Sequence, residues 1–590
     1  MFKLCDDREK SGESIGEAVT QQHVCDVLVV GSGAGGFSAA ITARHHGLDV
    51  LMVEKEPLFG GTTCYSAGVI WIPGSGQAKA AGIDDPPGEA LRYLEAIAGN
   101  RLDRARATAF LEAGPEMLKF IEANTPVRYV LVPTWADYEP ALPGGSNGGR
   151  SLAPEPFDGR RLGARFDQLR PPLASMMLLG GMMVGRTDLP HLFNMLRVPK
   201  SAWHAARMFA RYGRDRVRWK RGTRITNGNA LIAGLALAAQ EKGIPLWLKS
   251  PVVRLMVEDG RVTGAIVSKD GGEVHVTARR GVVLASGGFA GDTALKARLY
   301  GHVSDGREHQ SLPPPTNTGD GIRIATASGA GFQDDVHNAA AWTPVSFVPQ
   351  PDGTCLPYPH FLDRGKPGYI TVDRRGRRFV NEAKSYHVYV PAMIEACRGD
   401  ARTECWNICD HAAIRRWGLG AAPPRPGRLN PYIASGYIVR GDTPEELANR
   451  IGIDPKGLAE TIRKFNEGAR RGEDPEFGRG TDAYQRFNGA PGHEPNPCVA
   501  PLDQGPYYAV RMVPGDIGTF AGLKTDGSAR VLDTAGEVIG GLYAAGNDMA
   551  SVMGGTYPGA GITIGPALTF GFIAGRHLAA GAAPQSTPTE

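Results

Sequence analysis

The first strong pattern of apolar positions is a short β-branched run, Cys25-Asp-Val-Leu-Val-Val30, which predicts a buried strand. The glycine-rich segment Gly31-Ser-Gly33-Ala-Gly-Gly36 follows at once, and then an alanine-rich stretch that predicts a helix. A second apolar run, Val50–Val53, predicts another strand, and it ends at Glu54, 21 residues after Gly33. This order of strand, glycine turn, helix, strand and acid is typical of a dinucleotide-binding βαβ unit.

Each residue of this glycine turn has a physical role in such a unit. Gly31 makes the tight turn, Gly33 lets the main chain approach a pyrophosphate, and Gly36 lets helix and strand pack closely. Ala34 and Gly35 begin the helix, whose free N–H groups face the phosphates. The combination disfavours the alternative of an ordinary glycine turn without a ligand.

Two later apolar strands also end in glycine turns, Arg280–Phe289 and Gly541–Asn547. A loop of small residues after Glu54 can run its backbone along an extended diphosphate and an isoalloxazine ring, so FAD is the predicted dinucleotide. The further residues predicted to bind FAD are Glu54, Lys55, Gly60, Gly61, Thr62, Thr63, Ser66, Ala67, Gly68, Val253, Ser286, Gly287, Gly288, Gly546, Asn547, Gly561 and Ile562.

Composition excludes several other classes of protein. Glycine supplies 79 of 590 residues, but there is no Gly-X-Y period and 42% of the chain is hydrophobic, which excludes collagen-like and disordered chains. The net charge of +4 gives no indication of nucleic-acid binding. The longest uncharged run, 549–575, contains seven glycines and two prolines and predicts a loop followed by a short helix, not a membrane span.

The eight cysteines are scattered, which is typical of reduced thiols in a cytoplasmic protein. Cys405, Cys409 and His411 lie close together, but no second ligand pair stands at metal-site spacing, so we predict no metal site. Residues 1–24 lack the apolar region of a secretory signal, and we expect a flexible N-terminal segment there.

From Cys25 to Ala580, the chain resembles the flavoprotein family that includes fumarate reductases and 3-ketosteroid dehydrogenases. The resemblance implies an α/β fold in which a Rossmann-like, discontinuous FAD-binding domain carries an inserted α+β catalytic domain. The FAD-binding domain would comprise 25–290 and 500–582, the catalytic domain 291–499, and a tail 583–590.

The segment nearest the last glycine turn, 554–565, contains no arginine or histidine. A fumarate reductase is expected to hold its dicarboxylate with such cations. The stretch Tyr557-Pro-Gly-Ala-Gly561 instead resembles that of the 3-ketosteroid Δ1-dehydrogenases, which implies that Tyr557 and Gly561 bind a steroid C3 oxygen. A phenolic O–H and a backbone N–H are neutral donors suited to one ketone oxygen.

Two more segments resemble that family. Gly376–Tyr386, with the preceding 365–372, resembles the segment whose final tyrosine is the catalytic base, which implies this role for Tyr386. Trp135–Tyr138 resembles the segment whose tyrosine hydrogen-bonds the base, which implies this role for Tyr138. An isolated tyrosine has a pKa of about 10, and we expect hydrogen bonding and nearby positive potential to lower the pKa of Tyr386.

The region 170–224 is a basic, methionine-rich helical insertion in the FAD-binding domain. Its part 173–224 holds six of the 14 methionines and a local charge of +9, from eleven basic and two acidic residues. Trp203, Phe209 and Trp219 accompany these charges, as in helices that lie on anionic lipid. We therefore expect either peripheral attachment to the inner face of the cell membrane, or a solvated basic face or oligomer contact.

The predicted function is FAD-dependent formation of a C1–C2 double bond in 3-ketosteroids, within steroid degradation. The electron acceptor, for which a quinone is one option, and the oligomeric state are left open. One alternative is a related flavoprotein acting on another ring ketone, such as a Δ4-(5α)-3-ketosteroid dehydrogenase. A second alternative is a membrane-associated flavoprotein that binds lipid or steroid without turnover.

Overall fold

The computed structural model describes residues 21–581 apart from Arg186, Leu362 and Pro426. Residues 1–20 of the expected N-terminal segment, residue 582 and the expected tail 583–590 lie outside the described residues. Residues 21–24 begin a strand that pairs in parallel with 274–277. For these four residues the prediction of a flexible segment is wrong, because backbone pairing at this position does not require apolar side chains.

The strands of the described chain are β1 (Gln21–Val30), β2 (Val50–Val53), β3 (Ile70–Trp71), β4 (Tyr129–Leu131), β5 (Ser151–Pro154), β6 (Phe157–Asp158), β7 (Arg224–Ile225), β8 (Leu246–Trp247), β9 (Val252–Glu258), β10 (Arg261–Lys269), β11 (Gly272–Leu284), β12 (Gln310–Ser311), β13 (Phe332–Gln333), β14 (Ala340–Pro349), β15 (Cys355–Pro359), β16 (Tyr369–Val372), β17 (Cys405–Asp410), β18 (Val439–Gly441), β19 (Tyr507–Thr519), β20 (Gly522–Leu523), β21 (Arg530–Leu532) and β22 (Val538–Ala544).

The α-helices of the described chain are α1 (Ala34–His45), α2 (Gly76–Ala80), α3 (Pro87–Ala98), α4 (Arg104–Asn124), α5 (Leu189–Asn194), α6 (Pro199–Arg218), α7 (Asn227–Glu241), α8 (Thr293–Leu299), α9 (Gly301–Ser304), α10 (Asp320–Thr326), α11 (Tyr386–Ala396), α12 (His411–Trp417), α13 (Asn430–Ala434), α14 (Pro444–Ile451), α15 (Pro455–Ala469), α16 (Ala483–Asn488) and α17 (Ile564–Ala580).

The first large sheet has the order β21-β22-β10-β11-β1-β2-β8, with β9 paired to β10. The strands β11, β1, β2 and β8 pair in parallel, and β22 joins β11 in parallel from the far end of the chain. The apolar runs of β1 and β2 are buried, as is typical of parallel strands covered on both faces. The carboxyl ends of β1, β11 and β22, which are distant in sequence, therefore lie side by side.

The second large sheet has the order β15-β14-β19-β17-β16, and β12 and β18 also pair with β19. Its ladders are antiparallel except that between β12 and β19. The long strand β19 connects most of this sheet. The molecule thus combines mixed α/β sheets, which agrees with the expected fold class.

A small antiparallel sheet, β3-β5-β4, lies beside the start of α17. Helix α17 is longer than the short helix expected from the sequence, and its glycines pack directly on α1. A Cβ at Gly571 would lie 2.3 Å from the carbonyl oxygen of Gly35. This close approach is possible only without a side chain.

The insertion 170–224 contains α5 and α6. No helix within the described residues is long and apolar enough to cross a membrane. The cysteines discussed above lie in or beside β17, where Cys405 contacts the hydroxyl of Tyr389 at 3.3 Å and His411 bonds to Tyr508 at 2.9 Å. Within the described residues, no group of three side chains of metal-ligating type lies together.

Candidate active site

The glycine turn between β1 and α1 has the tight geometry expected from the sequence. A Cβ at Gly31 would lie 2.2 Å from the carbonyl oxygen of Ala285, and one at Gly36 would lie 2.1 Å from that of Gly31. Gly33 and Gly61 differ, because a Cβ there would meet no atom closer than 3.8 Å. Their open faces leave room for a ligand along the backbone.

The predicted acid at the end of β2 reaches this turn. Glu54 accepts hydrogen bonds from the backbone N–H of Ser32 at 3.2 Å and from its hydroxyl at 2.5 Å. The same hydroxyl accepts from the N–H of Gly60 at 3.0 Å. Glu54 and the loop of small residues that follows it are therefore held together with the glycine turn.

The loop 60–68 approaches the turn through side chains of threonine and serine. Thr63 accepts from the N–H of Ala34 at 3.3 Å, and Thr62 accepts from Asn317 at 2.9 Å. Ser66 bonds to the carbonyl oxygen of Thr63 at 2.7 Å and accepts from Gly68 at 3.0 Å. These contacts fix the loop beside the first residues of α1.

Three residues of the predicted FAD set have surroundings that differ from those of the glycine turn. Lys55 forms an ion pair with Asp320 at 2.6 Å, so its charge is already partnered. Ala67 is exposed, and Val253 lies on β9 with 47% of its surface exposed. Their contact with FAD stays a prediction.

The second glycine turn, at the end of β11, is held by a carboxylate that was not among the predicted residues. Asp548 accepts from the N–H of Ser286 at 2.5 Å and from the N–H of Gly288 at 2.9 Å. Burial raises the pKa of Asp548. In the sequence, the only indication of this role was that Asp548 directly follows the predicted residue Asn547. Gly287 in turn offers its carbonyl oxygen to Asn317 at 3.1 Å.

A cavity lies between the end of β19 and the start of α17. The predicted residues Gly546, Asn547 and Ile562 line it, together with Phe520. The hydroxyl of Thr519 also lines this cavity and is buried without a hydrogen-bond partner. An unpartnered hydroxyl and open glycine faces fit a long polar cofactor held mainly by backbone, as FAD would be.

Three tyrosines far apart in the sequence meet beside this cavity. The hydroxyls of Tyr138 and Tyr386 are 2.8 Å apart. The ring of Tyr557 stacks on that of Tyr138 at 5.2 Å and meets that of Tyr386 edge-on at 5.3 Å. Phe520, which lines the cavity, lies 6.1 Å from the ring of Tyr557. The three predicted tyrosines therefore form one buried cluster next to the candidate FAD site.

The expected lowering of the Tyr386 pKa is wrong for this arrangement. Burial raises the pKa of Tyr386 well above 10, and the neighbouring Tyr138 and Tyr557 act in the same direction. Burial also raises the pKa of Tyr557 to about 12. Tyr386 is the first residue of α11, directly after the N-cap Ser385.

Gly561 lies four residues after Tyr557 and packs against the backbone of Ile70 and Trp71. Its φ is +102°, and a Cβ there would lie 2.5 Å from the backbone of Ile70, so only glycine fits this position. Within the described residues, no backbone acceptor takes the N–H of Gly561. The turn therefore offers one phenolic O–H and one backbone N–H.

Three further neighbours with aromatic rings were not predicted. The ring of Tyr484 lies 4.6 Å from that of Tyr138, and the ring of Phe361 lies 5.2 Å from that of Tyr386. His387 follows the predicted base and lies 5.5 Å from Tyr557, and burial lowers its pKa to about 3, so it is neutral. No sequence pattern indicates these contacts, since they depend on tertiary packing.

Comparison with known proteins identifies the family. The model of the FAD binding domain family matches residues 26–564, and the chain belongs to this family. The 4-oxocyclohex-2-ene-1-carboxylate 5-dehydrogenase of Sinomonas cyclohexanicum is 41% identical over 94% of this chain and 94% of its own. The 3-oxosteroid 1-dehydrogenase of Mycobacterium tuberculosis is 38% identical over 94% of this chain and 98% of its own.

The fold agrees with a solved structure of a similar enzyme. The crystal structure of 3-ketosteroid delta1-dehydrogenase from Sterolibacterium denitrificans, in complex with 1,4-androstadiene-3,17-dione, superposes with a TM-score of 0.86 and 38% identity. The match covers 95% of this chain and 100% of that chain. The resemblance found in the sequence is thus confirmed, and the protein is an FAD-dependent oxidoreductase.

Proposed function

We propose that this protein introduces a double bond between C1 and C2 of 3-ketosteroids. The observation that carries this proposal is the buried cluster of Tyr138, Tyr386 and Tyr557 next to the glycine turn that ends at Gly561. The cluster provides a base with a hydrogen-bonded partner and two neutral donors for one ketone oxygen.

In the proposed reaction, the Tyr386 oxygen takes the C2 proton while Tyr138 hydrogen-bonds to it. Negative charge then develops on the C3 oxygen, where the O–H of Tyr557 and the N–H of Gly561 stabilise it. FAD, when bound, accepts the hydride that leaves C1. The electron pair of the broken C2–H bond becomes the C1–C2 double bond.

The surroundings of the cluster favour an uncharged substrate. Lys384 pairs with Glu139 at 2.5 Å, and Arg364 donates to the carbonyl oxygens of His360 at 3.0 Å and Glu382 at 3.2 Å. A substrate carboxylate would have to be desolvated beside cations that already have partners. A neutral ring ketone carries no such cost.

A second candidate function has one observation in its favour. The relative that is 41% identical is named as acting on 4-oxocyclohex-2-ene-1-carboxylate. This small ring ketone would use the same base and the same ketone donors. It differs from a steroid in size and in its carboxylate, so the two candidates make different predictions for one assay.

The deciding experiment is to mix the purified FAD-loaded protein with androst-4-ene-3,17-dione or with 4-oxocyclohex-2-ene-1-carboxylate, without oxygen, and to follow flavin absorbance. We expect bleaching by the steroid with formation of the 1,4-diene. Bleaching by the carboxylate alone would establish the second candidate. No bleaching by either would support a non-catalytic flavoprotein.

Product analysis distinguishes the proposed reaction from that of a Δ4-(5α)-3-ketosteroid dehydrogenase. With 5α-androstane-3,17-dione as substrate, our proposal predicts a C1–C2 double bond in the first product. A first product with a C4–C5 double bond would contradict the proposed reaction, even if the flavin bleached.

We propose a discontinuous FAD-binding domain for this chain, with the catalytic domain inserted. The first large sheet supports it, since β1, β2 and β11 come from the amino-terminal part of the chain and β22 from the carboxy-terminal part. Because β19 pairs within the second sheet, we propose the second boundary after Thr519 and not at 500.

We also propose that the insertion 170–224 attaches to an anionic membrane surface. Its exposed apolar side chains support this proposal, since Leu196 is 76% exposed, Trp203 72% and Leu179 68%. Basic residues of α6 accompany them, and such residues attract anionic lipid.

Vesicle binding tests the membrane proposal. Wild-type protein should sediment with vesicles that contain phosphatidylglycerol and remain free with pure phosphatidylcholine, whereas a Leu196→Ser/Trp203→Ser variant should remain free with both. Val257→Ser, at an exposed valine outside the insertion, is the control. Equal sedimentation of wild type and variant would contradict the proposal.

A further inference from the structure

A group of buried charges lies directly behind the proposed ketone-binding turn. Arg150 donates to Asp85 at 2.7 Å and to Asp137 at 2.7 Å. The side chains of Asp85, Arg150 and Asp137 are 5%, 2% and 2% exposed. Two carboxylates and one guanidinium therefore share a site with almost no water, which is costly unless every group is hydrogen-bonded.

The carboxylate of Asp137 joins this group of charges to Trp71. Besides Arg150, its carboxylate accepts from the indole N–H of Trp71 at 2.8 Å and from the N–H of Ser146 at 2.9 Å. Burial raises its pKa to about 6, so the carboxylate is ionised at pH 8. Arg150 also lies over the rings of Trp71 and Tyr93, 5.7 and 5.8 Å from their centroids.

The partners of Asp137 in turn hold the segment 557–561. The N–H of Tyr138, the next residue, donates to the carbonyl oxygen of Pro558 at 2.8 Å, and the hydroxyl of Tyr93 donates to the same oxygen at 2.8 Å. The backbone N–H of Trp71 donates to the carbonyl oxygen of Gly561 at 3.3 Å. Both ends of the turn are thus fixed by residues bound to, or adjacent to, Asp137.

The turn has no room to adjust independently of Trp71. A Cβ at Gly559 would lie 2.6 Å from the indole Cδ1, and one at Gly561 would lie 2.6 Å from the backbone nitrogen of Trp71. The backbone of the turn therefore rests directly on this tryptophan. A rotation of the indole would displace the turn and the two ketone donors with it.

We propose that Asp137 is a positioning residue, which through Trp71 and the Tyr138 backbone holds Tyr557 and Gly561 at the substrate ketone. This inference rests on the proposed function, since it assumes that those two residues bind the ketone oxygen. Asp137 itself touches neither substrate nor cofactor in this scheme. Its effect is on geometry, and displacements of about 1 Å can reduce turnover about 10²-fold.

The test compares Asp137→Asn with Glu404→Gln. Glu404 is a matched control, because it is also buried, 3% exposed, and paired with Arg374 and Arg511, but it directly precedes β17 of the second sheet. The infrared carbonyl stretch of bound androst-4-ene-3,17-dione, labelled with ¹³C at C3, reports the hydrogen bonds to that oxygen. Steady-state turnover is measured at pH 8 in parallel.

For Asp137→Asn we expect a carbonyl stretch shifted towards that of the free ketone, and a fall in kcat of about tenfold or more with KM changed less. Glu404→Gln should have the carbonyl stretch and the kcat of the wild type. Trp71→Phe, which loses the indole N–H but keeps the ring contact, should shift the stretch in the same direction. This second variant keeps the inference testable if Asp137→Asn fails to fold.

Two outcomes separate this inference from the proposed function. If Tyr557→Phe shifts the carbonyl stretch while Asp137→Asn and Trp71→Phe leave it and kcat unchanged, the positioning role is overturned and the ketone site stands. If Tyr557→Phe itself leaves the carbonyl stretch of the bound steroid unchanged, the result contradicts the proposal that Tyr557 binds the ketone oxygen.

Discussion

The tyrosine cluster and the insertion 170–224 depart from the usual distribution of side chains in opposite ways. In the cluster, hydroxyl groups are buried, since Tyr138 is 3% exposed, Tyr386 8% and Tyr557 5%. In the insertion, large apolar side chains are exposed, with Val217 at 89% and Leu196 at 76%. Proteins normally place polar groups in water and large apolar groups inside.

The two departures have different physical consequences. Burial of hydroxyls makes their ionisation costly and their hydrogen bonds strong, which suits groups that act on one substrate atom. Exposure of apolar side chains costs little in the folded monomer, but it provides a surface for a partner. Changes in the cluster should therefore affect turnover, and changes in the insertion should affect attachment.

The largest expected effect is that of Tyr386→Phe. Removal of a general base lowers the rate about 10²–10⁴-fold, and we expect the upper part of this range because the cluster offers no other base at C2. The ring remains, so the variant should keep its yellow FAD. Anaerobic flavin reduction by the steroid measures the effect. A variant that reduces flavin at a tenth of the wild-type rate would exclude Tyr386 as the base.

Tyr557→Phe should have the next largest effect. Loss of one oxyanion donor reduces kcat about 10²–10³-fold, and the N–H of Gly561 would remain. Tyr484→Phe is the matched control, since it changes a buried tyrosine that contacts Tyr138 only through its ring. Stopped-flow flavin reduction compares the two. Equal losses in both variants would mean that the hydroxyl of Tyr557 has no special role.

The pH dependence of flavin reduction tests the state of the base. Because burial raises the pKa of Tyr386 well above 10, its ionised fraction rises about tenfold per pH unit between pH 7 and pH 10. We therefore expect the rate to increase from pH 7 to pH 10 without a plateau. A plateau below pH 9 would mean that bound substrate and FAD lower this pKa.

The smallest effect is expected for surface changes in the insertion. Trp203→Ser should change the free energy of unfolding by less than about 0.5 kcal/mol and leave turnover of dissolved steroid unchanged. Met208→Ala, on the same helix but at a side chain that is 8% exposed, should destabilise by about 2 kcal/mol. Urea unfolding measures both. A large effect of Trp203→Ser would show that this side chain packs on protein.

Much of the geometry of the candidate FAD site was predictable because it is built from local sequence. The glycine turn 31–36, Glu54 and the small-residue loop are close in the chain and have fixed spacings. Asp548 was missed although it directly follows the predicted Asn547, because its partners Ser286 and Gly288 are placed beside it only by the fold. The contacts of Tyr484 and His387 were missed for the same reason.

The sequence by itself determined which residue types are available. These are the glycines that allow the backbone to approach a cofactor, and a segment, 554–565, that contains Tyr557 but no arginine or histidine. Only the tertiary structure decided that Tyr138 and Tyr386, 248 residues apart, share a hydrogen bond, and that burial raises the pKa of Tyr386. The reason is physical. Backbone conformation is set largely by neighbours in the chain, whereas solvation and ionisation depend on everything that packs around a group.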